Sequence, residues 1–276
     1  MKINDWLQQA TQALSKAGIA TARLDALVLL EDQTGKDRAW LLAHDEFEID
    51  QANERKLKKL LNQRATHLPL AYVRGQTEFY GRTFVITPAV LEPRPESEAM
   101  IDLLKGLFQE GKLVGSKEKM VHVADVGTGS GALGITGALE VPHMAVELLE
   151  IDKNAAEIAK INVDKFTLNI SVILSDLLTS ATHDYQILLC NLPYVTDGYQ
   201  INSAAAHEPR IALFGGPDGL DVYRKLFIQV NNLPNKPLYI LTESLPSQHE
   251  PLAALAAAAG YSLQTSDDFI QLFAAT

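Results

Sequence analysis

The chain has 276 residues, of which 47% are hydrophobic and 21% are charged. This composition excludes an intrinsically disordered chain and is enough for one large domain or two ordinary ones. The formal net charge of −10 argues against a broad electrostatic interaction with nucleic acid, which depends on neutralising phosphates. The single cysteine, Cys190, excludes an intrachain disulfide and fits a reducing compartment.

The first residues of the chain, Met1 to Trp6, are polar and acidic and do not resemble a signal sequence. No apolar run approaches the ~20 residues that a membrane-spanning helix needs. We therefore expect a cytoplasmic protein that does not enter a membrane, and we expect it to be a monomer.

Residues 1–74 are predicted to form a small helical-bundle domain. Apolar side chains recur at helical spacing from Trp6 onward, and Gly18 can end this first helix. Thr21 can cap a second helix, and residues 51–67 form a third. The third helix has a basic face, which is either an ordinary solvated surface or a docking surface for a partner.

Residues 75–95 are predicted to form a hinge and a β-hairpin linker. Residues 79–86 and 90–91 are rich in β-branched and aromatic side chains, which favours two short strands. The stiff sequence Pro93-Arg94-Pro95 ends the hairpin, and Ser97 is placed to cap the helix that follows.

Residues 96–276 alternate between apolar strands and amphipathic helices. This alternation predicts a doubly wound, mostly parallel α/β sheet. In such sheets, ligands bind beyond the carboxyl ends of the strands, so the residues that follow each strand are candidate site residues. The predicted strands are 121–126, 145–150, 171–174, 187–190 and 238–241, with two edge strands near 261–263 and 270–273.

A glycine-rich turn, Gly127-Thr128-Gly129-Ser130-Gly131, follows the first of these strands. Glycines allow a tight turn and let a ligand approach the backbone closely. Glu150 ends the next strand, where a carboxylate can accept hydrogen bonds from ribose hydroxyls. Enzymes that use NAD and enzymes that use S-adenosylmethionine share these features, so the turn alone does not separate the two classes.

Two further acidic residues favour S-adenosylmethionine. Asp125 precedes the turn, where its carboxylate suits a cationic ligand that bears an amino acid and would repel a pyrophosphate. Asp176, followed by Leu177, ends the third strand, where a carboxylate or the backbone can receive an adenine amino group. Each acid alone is as typical of a helix cap or a surface charge, but three acids at successive strand ends favour a methyl-donor site.

A polar tetrapeptide, Asn191-Leu192-Pro193-Tyr194, follows the strand at 187–190. Asn191 offers both a hydrogen-bond acceptor and a donor, and Tyr194 offers a flat face for stacking. Pro193 holds Leu192 extended, so that the Leu192 carbonyl can point outward. The tetrapeptide could therefore hold a planar group with an NH₂, such as a carboxamide or an adenine edge. Taken alone, it is more typical of a strand that ends in a proline turn.

Three longer segments, together with these motifs, resemble the release factor glutamine methyltransferases, also called the HemK family. Residues 69–81 resemble the family's hinge, residues 90–98 its L-I-P-R-P-E-T-E signature, and residues 208–221 its E-P-x-x-A-L-x-G-G-x-D-G-L segment. The chain departs from the family at Leu192, where the family has proline. The form Asn-Leu-Pro-Tyr is typical of ribosomal RNA adenine dimethyltransferases. The chain also departs at residues 243–248, where the family's E-I-G-x-x-Q becomes E-S-L-P-S-Q, and at residues 267–271, which lack the glycine and arginine of the family's last hairpin.

The resemblance implies a seven-stranded class I methyltransferase domain that uses S-adenosylmethionine and no metal. It implies methylation of the side-chain amide nitrogen of the glutamine in the Gly-Gly-Gln motif of class 1 peptide chain release factors, without direct binding to nucleic acid. The donor-binding residues that it implies are Asp125, Gly127, Thr128, Gly129, Ser130, Gly131, Glu150, Asp176, Leu177 and Asn191. The residues implied to hold the target glutamine and to catalyse transfer are Asn191, Leu192, Pro193 and Tyr194.

Three alternatives stay open at this point. An adenine N6-methyltransferase acting on RNA or DNA would use the same tetrapeptide, with Tyr194 stacked on an extruded base. A homologue that binds the cofactor without turnover is suggested by the divergent segment after Glu243. An NAD-dependent oxidoreductase would use the glycine turn, but no hydride-site motif is recognisable. The acidic charge and the hinge and linker segments favour a protein glutamine as the target.

Overall fold

The computed structural model describes residues 1–276 and separates into two compact units. The first unit comprises Met1–Gln76 with Ile201–His207, and the second comprises Thr77–Gln200 with Glu208–Thr276. The domain boundaries expected at residues 74 and 95 stay predictions. None of the helices combines the length and the apolar character that crossing a membrane requires.

The first unit is built from five helices, which are α1 (Ile3–Lys16), α2 (Ala22–Thr34), α3 (Arg38–Ala43), α4 (Gln51–Arg64) and α5 (Leu70–Arg74). Their apolar faces enclose one core that includes Trp6, Leu29 and Leu57. Thr21 precedes α2 but its side chain makes no capping hydrogen bond, so its predicted capping role is wrong.

The short helices α3 and α5 are absent from the sequence-based prediction. Asp37 starts α3 because its carboxylate accepts a hydrogen bond from the backbone N–H of Trp40 at 2.7 Å. Pro69 occupies the cap position of α5, where no helical hydrogen bond needs the N–H that proline lacks. A single helical turn leaves too little periodicity in the sequence to be recognised.

A hairpin of β1 (Gln76–Phe79) and β2 (Arg82–Val85) begins at the last residue of the first segment and belongs, from Thr77 onward, to the second unit. The turn between them has positive φ at both central residues, 51° at Tyr80 and 69° at Gly81, as a tight two-residue hairpin requires. The prediction of one strand over 79–86 and another at 90–91 is therefore wrong. Residues 79–86 contain the turn of the hairpin and so cannot be one strand. Residues 90–91 follow a turn that is closed by a hydrogen bond from the N–H of Val90 to the carbonyl oxygen of Thr87.

A seven-stranded sheet forms the centre of the second unit. Its strands are β3 (Val121–Val126), β4 (Met144–Glu150), β5 (Ser171–Leu174), β6 (Ile187–Cys190), β7 (Tyr239–Glu243), β8 (Tyr261–Asp267) and β9 (Ile270–Ala275). They lie in the order β5-β4-β3-β6-β7-β9-β8, and β9 alone runs in the direction opposite to the other six strands. This confirms the predicted doubly wound, mostly parallel sheet. The strand order reverses between β3 and β6, which is where such sheets bind ligands.

Helices cover both faces of this sheet. They are α6 (Glu98–Gln109), α7 (Ala132–Glu140), α8 (Lys153–Lys165), α9 (Arg210–Leu213), α10 (Asp221–Asn231) and α11 (His249–Ala258). One apolar cluster includes Leu104 of α6 and Leu133 of α7, and a second includes Leu226 of α10 and Leu252 of α11.

Ser97 lies at the start of α6 but does not cap it. Its backbone is already helical and its side chain makes no capping hydrogen bond, so the predicted role is wrong. The Ser97 hydroxyl instead donates to the carboxylate of Glu243, at the end of β7. The Ser97 side chain therefore binds the buried Glu243 carboxylate and not the backbone N–H groups at the start of α6.

Candidate active site

A cavity of about 280 Å³ lies within the second unit, at the carboxyl ends of β3, β4, β5 and β6. This volume is close to the lower end, ~300 Å³, of small-molecule sites. Gly131 and Tyr194 are outside its wall. The sequence-predicted residues that line it are Asp125, Gly127, Thr128, Gly129, Ser130, Glu150, Asp176, Leu177, Asn191, Leu192 and Pro193. Segments that are far apart in the chain thus meet around one space.

The glycine turn needs its glycines for two different reasons. Gly127, Gly129 and Gly131 all have positive φ, between 57° and 84°, which L side chains rarely adopt. A Cβ on Gly127 would also lie 2.9 Å from Cδ2 of Leu192, whereas a Cβ on Gly129 would meet nothing within 4 Å. Gly127 therefore allows the tetrapeptide to pack against the turn, and Gly129 leaves the backbone open to the cavity.

Asp125 is a buried carboxylate beneath the turn. Its Oδ2 accepts hydrogen bonds from Oγ1 of Thr128 at 2.6 Å and from the backbone N–H of Gly134 at 2.8 Å. Burial raises the pKa of Asp125 to about 6, and these two hydrogen bonds oppose the rise. No protein group donates to Oδ1, so one carboxylate oxygen is available to a cationic group in the cavity.

Glu150 is also buried, and backbone N–H groups of the protein occupy most of the hydrogen-bond acceptor positions of its carboxylate. Its Oε2 accepts from the N–H of Gly129 at 2.8 Å, and its Oε1 accepts from Ile151 and Asp152 at 2.9 and 3.0 Å. Burial raises the pKa of Glu150, and these bonds act in the opposite direction. A carboxylate has about four acceptor positions, so one position remains. Accepting both ribose hydroxyls would require one of the three protein bonds to break.

Asp176 and Leu177 form the far wall of the cavity. The Asp176 carboxylate is paired with Nζ of Lys225 on α10, a partner that the sequence analysis did not identify. Leu177 has φ of 55°, and its carbonyl accepts a hydrogen bond from Ser175 Oγ at 2.7 Å. Its backbone N–H has no protein acceptor and is left for a ligand. A non-glycine residue in this strained conformation is typical of a functional site.

The backbone of the tetrapeptide is fixed by Tyr223, a fully buried residue of α10. Its hydroxyl lies 2.9 and 2.6 Å from the carbonyl oxygens of Cys190 and Glu243, and it accepts from the N–H of Leu192 at 3.3 Å. Tyr223 thus ties the ends of β6 and β7 to the tetrapeptide. No protein group donates to the Leu192 carbonyl oxygen. The sequence carried no signal for Tyr223 beyond its place on an apolar helix face.

The side chains of the tetrapeptide share a buried acid, Glu243, which is 1% exposed. Its carboxylate accepts from the hydroxyl of Tyr194 at 3.1 Å and from the hydroxyl of Ser97, and Nδ2 of Asn191 lies 3.1 Å from Ser97 Oγ. Burial raises the pKa of Glu243, and the hydrogen bonds from Ser97, Tyr194 and Asn191 oppose this by favouring the ionised form. Burial and the Glu243 charge also raise the pKa of Tyr194, so its hydroxyl stays protonated.

The segment 208–221 wraps the tetrapeptide so closely that only glycine fits. A Cβ on Gly215 would lie 2.3 Å from the Pro193 carbonyl oxygen, and a Cβ on Gly219 would lie 2.1 Å from that of Tyr194. Nε2 of Gln248 also donates to the Tyr194 carbonyl at 2.8 Å. Nothing in the sequence indicates this role for Gln248, because Tyr194 and Gln248 lie far apart in the chain.

An ion pair joins the two most distinctive segments of the sequence. Nη2 of Arg94, in 90–98, lies 2.7 Å from both carboxylate oxygens of Glu208, in 208–221. Glu208 is buried, which raises its pKa, and the Arg94 charge acts against that rise. The pair anchors the linker segment beside the cavity.

Comparison with known families and proteins gives consistent matches. A family described as the PrmC N-terminal domain matches residues 5–75, and one described as the methyltransferase small domain matches residues 111–209. The release factor glutamine methyltransferase of Coxiella burnetii is 33% identical, over 87% of this chain and 85% of its own length. The enzyme of the same name from Koribacter versatilis is 33% identical, over 83% of this chain and 81% of its own length. The one from Bacillus subtilis is 30% identical, over 86% of this chain and 83% of its own length.

Solved structures show the same fold at low identity. The catalytic domain of hMettl16, in complex with the MAT2A 3′UTR hairpin 6, superposes with a TM-score of 0.56 and 15% identity. The superposition covers 87% of this chain and 92% of that chain. At this identity, the likeness establishes the fold and nothing about the target.

Proposed function

Because the chain belongs to the release factor glutamine methyltransferase family, we propose that it methylates the glutamine side chain in the Gly-Gly-Gln motif of class 1 peptide chain release factors. We propose S-adenosylmethionine as the donor and the amide nitrogen as the acceptor. The observation that supports this most strongly is that the glycine turn and the tetrapeptide line the same cavity. A donor and a planar amide could therefore meet there.

The residues of the cavity fit S-adenosylmethionine, which supplies a methyl group on a cationic sulfur when bound. Asp125 would hold its amino group through the free Oδ1, and the open space beside Gly129 would receive its amino-acid part. Glu150 would accept a ribose hydroxyl at its remaining acceptor position. Asp176 and the free N–H of Leu177 would bind the adenine edge.

The tetrapeptide would orient the target amide. An amide nitrogen is a poor nucleophile because its lone pair is delocalised into the carbonyl. The Asn191 side-chain oxygen and the unpartnered Leu192 carbonyl would accept its two N–H bonds and turn the lone pair toward the methyl group. Catalysis of this kind consists of positioning and electrostatic preorganisation. Leu192 keeps the carbonyl this requires, and Pro193 keeps it extended.

No dedicated general base is required in this scheme. None of the seven histidines lines the cavity, and the Tyr194 hydroxyl is protonated because its pKa is raised. The nitrogen would lose its proton to solvent after the new bond to carbon has formed.

The direct test is mass spectrometry of a release factor after incubation with the protein and S-adenosylmethionine. We expect one added methyl group on the glutamine of the Gly-Gly-Gln tryptic peptide. The Asn191→Ala variant should lower kcat by about 10²-fold, the size typical of losing one preorganised hydrogen-bonding group. Asn154→Ala, a change at the start of α8 outside the cavity wall, is the control.

The same assay separates the alternatives. Methyl label in RNA or DNA and none in the release factor would favour adenine as the target and contradict the proposal. Calorimetric binding of S-adenosylmethionine without transfer to any release factor would favour a homologue without turnover. A normal rate for Asn191→Ala would contradict the role of the tetrapeptide.

A further inference from the structure

The hydroxyl groups around Glu243 have a fixed direction of donation. An ionised carboxylate can only accept hydrogen bonds. Ser97 therefore donates to Oε2 of Glu243, and Tyr194 donates to Oε1 at 3.1 Å. Because Glu243 is 1% exposed, water does not compete for these positions. The single hydroxyl proton of each donor is committed to the same acid.

This direction determines how the amide of Asn191 is turned. The Ser97 hydroxyl uses its only proton in the hydrogen bond to Glu243. Toward Asn191, the Ser97 oxygen can therefore only accept a hydrogen bond. The contact of 3.1 Å between Asn191 and Ser97 must then come from the NH₂ group of the amide. The carbonyl oxygen lies on the opposite side of the amide group, and Asn191 lines the cavity.

We infer that Glu243 is a positioning residue which, through Ser97, holds the Asn191 carbonyl oxygen toward the target and so makes the site select an amide over a carboxylate. This inference rests on the proposed function. A target glutamine has N–H groups to give, which the oxygen accepts. A glutamate in the same place has only oxygens, which the Asn191 oxygen repels. With the Asn191 amide reversed, the NH₂ would face the cavity, and only the Leu192 carbonyl would still favour an amide, so the preference would fall.

Glu243→Gln removes the constraint while it preserves size and shape. A glutamine can donate as well as accept, so Ser97 is free to accept from residue 243 and to donate to Asn191. Both orientations of the Asn191 amide then become accessible. Glu243→Asp keeps a group that only accepts, and therefore keeps the direction of donation even if its shorter side chain lowers the rate.

Glu147 provides a matched control elsewhere in the sheet. It is a buried carboxylate on β4 that accepts from the hydroxyls of Thr182 and Tyr185, and it does not line the cavity. Glu147→Gln makes the same chemical change at a buried carboxylate that also accepts from two hydroxyls, with His183 Nε2 3.5 Å away as the one added neighbour. It measures what the loss of a buried, hydroxyl-bonded carboxylate does to the fold alone.

The experiment measures, for each variant, the affinity for a Gly-Gly-Gln peptide relative to a Gly-Gly-Glu peptide by competitive inhibition of methyl transfer to the release factor. In Glu243→Gln we expect the preference for glutamine to fall about tenfold, which corresponds to one hydrogen bond to a charged group. Calorimetric affinity for S-adenosylmethionine should stay within about twofold of wild type. Glu243→Asp and Glu147→Gln should keep the wild-type preference, to within about twofold.

An unchanged preference in Glu243→Gln, or an equal fall in Glu147→Gln, would overturn the inference while leaving the proposed function intact. Failure of the wild-type protein to methylate the release factor would instead contradict the proposed function. If Glu243→Gln does not fold, as judged by thermal unfolding, Ser97→Ala removes the connecting hydroxyl. That variant should shift the preference in the same direction by about threefold, since Asn191 still lies near Glu243. No shift in Ser97→Ala would overturn the inference as well.

Discussion

The two halves of the cavity are built in different ways. In the donor half, the part of the cavity proposed to bind the donor, formed by the glycine turn and the ends of β3, β4 and β5, Asp125 and Glu150 accept four of their five protein hydrogen bonds from backbone N–H groups. Asp176 differs, because it is paired with the side chain of Lys225. In the target half, the part proposed to hold the target and formed by residues 191–194, the contacts come from side chains of distant segments, such as Ser97, Tyr223 and Glu243. Most of the donor half is therefore fixed by neighbouring backbone groups, whereas the arrangement of the target half depends on side chains that converge from several segments.

Gly219→Ala should break the target half most severely. The added Cβ would lie 2.1 Å from the Tyr194 carbonyl oxygen, at a residue whose φ is +80°. We expect the free energy of unfolding to fall by about 3 kcal/mol, from overpacking and from backbone strain together, with loss of methyl transfer. Urea unfolding measures the cost. Gly81→Ala has a similar φ, +69°, but open space around it, and should cost only about 1 kcal/mol. An equal loss of unfolding free energy in Gly219→Ala and Gly81→Ala would show that the close approach to Tyr194 does not contribute to stability.

Arg94→Ala tests whether the target half depends on contacts between distant segments. It leaves the Glu208 carboxylate, with 2% of its side chain exposed, without its partner. We expect a loss of about 2 kcal/mol in urea unfolding, reduced from the cost of a fully buried pair because Arg94 is partly exposed. The affinity for S-adenosylmethionine should not change. Arg38→Ala removes a bidentate but more exposed pair with Glu31 and should cost under about 1 kcal/mol. A smaller loss for Arg94→Ala than for Arg38→Ala would contradict this account.

The donor half should respond to pH through Asp125. Burial raises its pKa to about 6, so the folded state binds this proton more tightly than the unfolded state. Its contribution to stability therefore decreases as pH rises from about 4 to about 6, and the loss persists at higher pH. Affinity for S-adenosylmethionine should change in the opposite sense, since binding needs the charge, and should weaken about tenfold from pH 7 to pH 5.

Calorimetry and urea unfolding at both pH values test this prediction. Asp125→Asn should reduce both pH dependences to what Glu150, Glu208 and Glu243 contribute, since burial raises the pKa of these three acids as well. Asp164→Asn, at an exposed position of α8, should leave both pH dependences unchanged. A pH dependence of binding that is as large in Asp125→Asn as in wild type would assign the titration to another group.

The sequence was sufficient to bring Asp125, the glycine turn and Glu150 together, because their signals are local, but it did not reveal that Lys225 pairs with Asp176. Asp125 and Glu150 each end a strand, and glycines follow where the chain must turn, so the pattern alone places them together. The target half was predicted only as a tetrapeptide. Ser97 has the sequence context of a helix cap, and nothing near it in the chain indicates that Glu243 lies opposite. Roles that depend on residues far apart in the chain require the packed structure.

The position of β9 has a consequence for how the protein is made. This strand follows β8 in the chain but lies between β7 and β8 in the sheet. During synthesis, β7 keeps an open edge until residues 270–275 have left the ribosome and paired with it. A chain that stops before residue 270 would therefore expose an unpaired strand that ends at Glu243, and such edges recruit other chains. Because Glu243 is the β7 residue that pairs with Ile270 of β9, the backbone around this acid reaches its final arrangement only at the last step of sheet assembly.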